Sequence, residues 1–362
     1  MYTTQTPTQH RWLKTISVFA AGALFSVAHA ANYTVSTPAT IKSQIQAAVS
    51  GDVITIQSGT YNMSGLAPIN LTANGVTVVG SSVTLDFKAT ATTDVRGIQI
   101  IGDNNYIRGL TINNAPDNGI HISGDGNTVE RCTFNTCFDT GLEISKGTGG
   151  TAPANNKVIN CDSYNNYDSK KAGSMADGFA AKTGIGSGNS FKGCRATGNS
   201  DDAFDFFAGD GTAAAAVTVS YCIAATSGKD TGNGNGFKLG SAYTTTSNSA
   251  HKIDHCIAYK NLKKGFDQNH NKSPVTMSYC TGASNGSYNF AFGEFTNGGT
   301  FTKNVSTGTW DVKGTQSGNL TSVSTSAFTS TSLSAVTRDG SGNLLFNNFM
   351  KYANSGGAGA NP

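Results

Sequence analysis

Six cysteines recur at one position of a repeating pattern, and that recurrence restricts the chain to stacked coils more severely than any single motif does. The segments are NTVERC ending at Cys132, NKVINC at Cys161, NSFKGC at Cys194, VTVSYC at Cys222, HKIDHC at Cys256 and VTMSYC at Cys280. Three residues before each cysteine stands an apolar side chain: Val129, Val158, Phe191, Val219, Ile253, Met277. Five residues after it the column reads Cys137, Asn166, Asn199, Ser227, Asn261, Asn285. A second apolar column follows: Leu142, Phe179, Phe204, Phe237, Phe266, Phe290. An earlier unit without cysteine, NNYIRGLTINNAPDNGIHI, fits the same frame through Ile107, Leu110 and Ile120.

Successive units lie roughly 22 to 34 residues apart, as expected of coils whose strands stack in register while their loops vary in length. Short strands rich in Val, Ile and Phe, punctuated by Gly, Asn and Ser, predict an all-β, single-domain parallel β-helix. Helical periodicity appears only in IKSQIQAAV, where Ile41, Ile45 and Val49 share a face. Its place before the solenoid predicts a short N-terminal capping helix over the first coil, with GDVITIQSGTY as the first strand segment. The catalytic domain is expected over 31–362, with regular coils to about residue 300 and a loosely packed cap or tail at the C-terminal end.

Six thiols at one repeat position favour a ladder of small buried groups over a disulfide framework, although a disulfide involving Cys137 stays open. The asparagine column reads as side-chain amides bonded to one another and to the turn backbone. Residues 1–30 carry Arg11 and Lys14 before an apolar run from Ile16 to Val27 and the small-x-small sequence Ala28, His29, Ala30. That is the pattern of a secretory signal peptide, and it predicts a secreted protein, extracellular or periplasmic in transit. Loss of Arg11 and Lys14 would take Lys plus Arg from 25 to 23 against 22 Asp plus Glu. So balanced a chain gives no reason to expect nucleic acid, no further apolar segment suggests a membrane, and a monomer is the expected state.

The chemistry gathers where neighbouring coils present their outward side chains. Residues after the inward aromatics face out, and they read Glu143, Ala180, Asp205, Lys238, Asp267, Ala291. Two residues before the aromatics the column reads Thr140, Asp177, Asp202, Asn235, Lys264, Tyr288. Asp177, Asp201, Asp202 and Asp205 therefore form one acidic patch, with Lys238 one coil beyond Asp205. An all-oxygen donor set without histidine or thiolate suits Ca2+ better than zinc. Lys238 beside such an ion can act as a general base, because the cation offsets the acids that would keep it protonated. On an acidic polysaccharide this allows removal of the C5 proton of a uronate and departure of the C4 oxygen by β-elimination. Lys182, Lys263 and Lys264 are candidate contacts for uronate carboxylates, as is Arg195. His121, His251, His255 and His270 show no ligand spacing, and the loop GKDTGNGNG is placed to shape a cleft wall.

DGFAAK, NSDDAFDFF and NGFKLG, in that order on a cysteine- and asparagine-laddered repeat, resemble the family nine polysaccharide lyases of the pectate lyase L type. The resemblance implies a right-handed β-helix and calcium-dependent cleavage of polygalacturonate. By motif it makes Asp177, Asp201, Asp202 and Asp205 the calcium ligands and Lys238 the Brønsted base. The family often has glycine after the paired aspartates, where this chain has Ala203. Alternatives are a lyase on another uronate polymer, a polygalacturonase-like hydrolase, and a non-catalytic carbohydrate-binding β-helix with structural calcium. The hydrolase lacks support, since its Arg-x-Lys and Gly-His-Gly segments are missing.

Overall fold

In the computed structural model, which describes residues 29–147, 150–208, 214–240, 249–294 and 298–361, the repeat units are parallel coils of a right-handed β-helix. The signal-peptide segment lies almost wholly outside the described residues. One ladder aligns Ile107, Val129, Val158, Phe191, Val219, Ile253, Met277 and Phe301. The strands that follow each turn form a second ladder through Phe134, Ser163, Ala196, Ala224, Ala258 and Gly282. A separate ten-stranded sheet runs from Ile69–Leu71 to Trp310–Val312 and aligns Leu142, Phe179, Phe204, Phe237, Phe266 and Phe290.

The inward side chains of these ladders make one continuous core. Its spine is a file of parallel phenyl rings, with centroids 4.7 Å apart for Phe204 and Phe237, 4.9 Å for Phe237 and Phe266, and 4.8 Å for Phe266 and Phe290. These distances match the spacing of hydrogen-bonded strands, so identical residues on successive coils stack without leaving their rotamers. All seven cysteines are free and buried. The thiols donate to backbone carbonyls, as Cys161 Sγ does to Val129 O and Ile159 O.

The asparagine column behaves as expected. Asn166 donates to Asn199 Oδ1 from its amide nitrogen at 3.2 Å and from Nδ2 at 2.9 Å, and Asn261 does the same to Asn285 at 3.0 and 2.9 Å. The residue just before each rung is left-handed, with φ of 54° at Asn165 and 52° at Lys260. The amides thus satisfy donors exposed by a turn that cannot pair with itself. A second ladder of the same kind passes through Asn105, Asn127, Asn156 and Asn189. On a later coil His251 takes over this function, and its Nδ1 accepts from the Val217 amide at 3.0 Å.

Four expectations about the ends require correction. The capping helix spans Pro38–Ala47 with Ile41 and Ile45 buried, but Val49 falls beyond it. The first coil begins earlier than GDVITIQSGTY, because Asn32–Val35 forms a strand paired with Val53–Ile56 before the helix starts. At the other end, coils continue to the strand Thr315–Ser317, past residue 300. The residues that follow are not a loose cap. They fold back along the flank of the solenoid, where Phe328, Val336, Leu344, Phe346, Phe349 and Met350 cover Ile223, Ile257, Tyr259 and Val305 in a second apolar cluster. Four outward-facing apolar residues on one flank would otherwise be exposed, and this strap removes them from water.

Candidate active site

Asp177 and Asp202 stand at the same turn of neighbouring coils, each two residues before a core phenylalanine. Gly178 keeps the turn tight, since a Cβ there would lie 2.5 Å from Ala196 Cβ and 2.6 Å from the Ala203 carbonyl oxygen. Each carboxylate accepts a backbone amide of the next coil at one oxygen, and Asp177 Oδ2 also accepts the Thr140 hydroxyl at 3.3 Å. The Asp202 amide donates to Asp177 Oδ1 at 3.0 Å, and the Asn235 amide donates to Asp202 Oδ1 at 2.7 Å. Asn235 continues the series by accepting from the Lys264 amide at 3.3 Å. The second oxygens of Asp177 and Asp202 are thereby presented to the side where Asp205 emerges from the strand Phe204–Asp205. Ligand oxygens of Asp177, Asp202 and Asp205 all lie within 4.8 Å of one another.

Two lysines reach into this group. Lys238 Nζ is 3.1 Å from Asp202 Oδ2 and 3.3 Å from Asp205 Oδ2. Lys182 Nζ is 2.6 Å from Asp177 Oδ2 and 3.3 Å from Asp205 Oδ2. Both side chains are only 12% exposed. Asp205 and Lys238 are direct register partners on adjacent strands. Asp201 differs from the other three acids: both of its oxygens accept backbone amides, from Met175 at 2.8 Å and from Asn233. It lines the same cleft and is outside the trio that converges on one point.

Burial dominates the protonation of these acids. It pushes the Asp202 carboxyl up to about 7, with Lys238 opposing the shift and Asp201 and Asp205 adding to it. Asp177 is raised by burial and by the neighbouring carboxylates against the pull of Lys182. For Asp205 burial also disfavours charge, but Lys238 and Lys182 outweigh it and hold its carboxyl below the usual range. Burial works against the Lys238 ammonium, yet Asp205, Asp202 and Asp177 prevail and raise its pKa above the ordinary value. These carboxylates therefore favour the charged form of Lys238.

The residues fit a divalent hard cation. Four carboxylates against two ammoniums leave a formal excess of two negative charges. Asp202 Oδ2 and Asp205 Oδ1 are buried with no hydrogen-bond donor among the described residues, although Lys238 approaches the former outside hydrogen-bonding geometry. Oxygens on opposite sides of a calcium ion stand roughly 5 Å apart or less, a span that the 4.8 Å grouping satisfies.

The other sequence candidates are distributed differently. Lys182 is a partner of the trio. Lys264 pairs with Asp267 at 2.9 Å and lines the next cleft along, with Tyr288 and His270. Lys263 is exposed beside it. Arg195 is on another face, paired with Asp162 at 3.1 Å, and has no place in the cleft. Asn233, from the glycine-rich loop, forms part of the cleft wall as expected. Glu143 stands in the outward column without a role, and residue patterns do not single out Asp139 or Ser145; all three line the N-terminal end of the same cavity of about 360 Å³.

Residues 26–304 match the family model described as the Pel9A-like, right-handed β-helix region. The chain belongs to this family. Among its curated relatives, pectate lyase L of Dickeya chrysanthemi is 39% identical over 210 residues, which cover 52% of this chain and 47% of that protein. Pectate lyase L of Paenibacillus polymyxa (strain SC2) is 33% identical over 253 residues, covering 66% and 54%. The chain thus spans about half the length of these two relatives. The crystal structure of pectate lyase Pel9A superposes with a TM-score of 0.75 at 29% identity, covering 91% of each chain. A rhamnogalacturonan lyase has the same TM-score at 20% identity and shares the fold.

Proposed function

We propose that this Pel9A-like β-helix is a calcium-dependent pectate lyase that cleaves polygalacturonate by β-elimination, with Lys238 as the base. The observation that carries this reading is Lys238 held between Asp202 and Asp205 at the edge of three converging carboxylates. Asp177, Asp202 and Asp205 would hold the ion directly, with Asp201 supporting the set from its amide-anchored position. Held there, a calcium ion would supply the positive charge that offsets the trio and would polarise a uronate carboxylate, so that the adjacent C5 proton is acidified. Relieved of the carboxylates that fix its charge, Lys238 becomes neutral and accepts that proton. The C5–H pair forms the C4–C5 double bond, the C4–O bond breaks, and the departing oxygen takes up a proton. No water is consumed.

The named relatives support the substrate class, and residues 1–30 support secretion. Among the described residues no helix is long and apolar enough to cross a membrane. Incubation with polygalacturonate distinguishes the readings. A lyase generates a 4,5-unsaturated uronide that absorbs in the near ultraviolet, a hydrolase generates reducing ends without that absorbance, and a binding protein generates neither.

A further inference from the structure

We infer that the N-terminal end of the cleft is a subsite for an uncharged sugar residue, either a methyl-esterified uronate or a neutral sugar, next to the free uronate at Lys238. This specificity rests on the lyase reading above. Upstream of Ala180 the outward column of the ten-stranded sheet reads Glu143, His121, Gln99 and Asn70 on successive coils. It holds no lysine or arginine. His121 is 2% exposed, and burial lowers its pKa to about 4, so the ring is neutral at working pH.

The carboxylates there are held as fixed acceptors. Ser145 Oγ donates to Glu143 Oε1 at 2.5 Å and pairs with His121 Nε2 at 3.0 Å. Asp139 Oδ1 accepts the Thr140 amide at 2.5 Å. The second oxygen of each acid has no protein donor among the described residues, and both acids line the cleft. His121 Nδ1, also buried and without a partner, belongs to a residue lining the adjoining cavity with Gln99 and Ser123.

Cations near this end are already committed or screened. Lys182 is held by Asp177 and Asp205, and Arg96 faces Asp117 at 3.8 Å and donates to Asn118 Oδ1 at 3.2 Å. Lys146 lines the cavity as an exposed side chain, where a single charge counts for little. Burial, with the Glu143 charge beside it, pushes the Asp139 carboxyl up to about 7, whereas at Glu143 burial is outweighed by Lys182 and the carboxyl is held below its usual range. A free uronate carboxylate placed here meets the Glu143 charge in a partly desolvated cleft, whereas sugar hydroxyls supply the donors that the free oxygens of both acids lack.

The test compares kcat/KM on unesterified polygalacturonate, partially methyl-esterified pectin, and a polymer alternating rhamnose with galacturonate, for the wild type and for the Asp139→Asn, Glu143→Gln double variant. The wild type should favour one of the two mixed polymers by roughly tenfold, the ratio expected from about 1.4 kcal/mol of like-charge cost. Preference for pectin identifies the ester as the natural occupant, and preference for the alternating polymer identifies a neutral sugar. The double variant should lose that preference by gaining on polygalacturonate. Wild-type preference for the unesterified polymer, or a double variant that loses activity on it while retaining the wild-type melting temperature, overturns the inference. Affinity electrophoresis of the wild type in gels of the same polymers reads the subsite without turnover. An enzyme that forms no unsaturated product yet is retarded more by the mixed polymers sinks the lyase reading and keeps the subsite.

Discussion

The backbone amide of Asp202 donates to Asp177 Oδ1 at 3.0 Å across one coil of the solenoid. The acidic column is thus a rung-by-rung continuation of an amide ladder in which Asn235 performs the same scaffold task without charge. At the proposed calcium site, cation binding and coil stacking would be shared between the two oxygens of one side chain.

Substitutions at Asp177 should separate these functions. Asp177→Asn keeps an acceptor for the Asp202 amide, as Asn235 does for Lys264, and should fold with stability near that of the wild type. Its calcium affinity should fall at least about tenfold with the loss of a charged ligand. Asp177→Ala strands the Asp202 amide and should cost about 1–3 kcal/mol in addition. Calorimetric calcium titration and denaturant unfolding of both variants check this; equal stability of the two would contradict the shared role.

The C-terminal strap is pinned by Arg338, which reaches Asp162 Oδ1 at 2.7 Å and Oδ2 at 3.2 Å and also donates to the carbonyls of Cys161, Gly193 and Gly342. Arg338→Ala should lower stability by about 2 kcal/mol, because Asp162 retains Arg195 as a partner. Limited proteolysis should then cut first within 320–361, while lyase activity at low temperature stays at the wild-type level. Proteolysis that begins in the central coils would show that the strap is anchored elsewhere.

His251 gives a pH dependence with a definite sign. Burial lowers its pKa from 6.5 to about 3, with the Val217 amide held at Nδ1. The unfolded chain therefore binds a proton that the folded chain refuses. Its contribution is fully present above pH 6.5 and declines as pH falls toward 3, by up to about 1.4 kcal/mol per pH unit. Denaturant unfolding between pH 6.5 and 4 should show this slope, and His251→Asn, which restores the rung used on four earlier coils, should flatten it. An unchanged slope in the variant would assign the acid sensitivity to other groups.

Much of this could be read from residue patterns because a β-helix repeats its contacts at a fixed register. The Cys, Asn and Phe columns placed Asp205 beside Lys238 and Asp177 beside Asp202, as the strand pairing shows. Alternation along a strand tells which face a residue leaves from, but not where a long side chain ends. Lys182 accordingly read as a substrate contact, while its ammonium lies on Asp177. Asp201 read as an equal of its neighbours, and only the fold shows both its oxygens accepting amides. The strap has no repeat, so nothing local announced that Phe349 and Met350 pack on a distant flank. The second amide ladder was visible in the Asn127, Asn156 and Asn189 that open their repeat segments, five residues before each cysteine, and His251 concealed its continuation.

On the proposed mechanism Lys238 removes the proton only once a cation has neutralised its acids. The direct measurement is formation of unsaturated product from polygalacturonate across pH and calcium concentration, for the wild type and Lys238→Gln. The wild-type rate should climb with pH as the lysine loses its proton. That limb should move to lower pH as calcium rises, and excess chelator should abolish it. Lys238→Gln should bind calcium and fall by about 10²- to 10⁴-fold in rate. A variant turning over at the wild-type rate, or a wild type indifferent to chelator, would contradict the account.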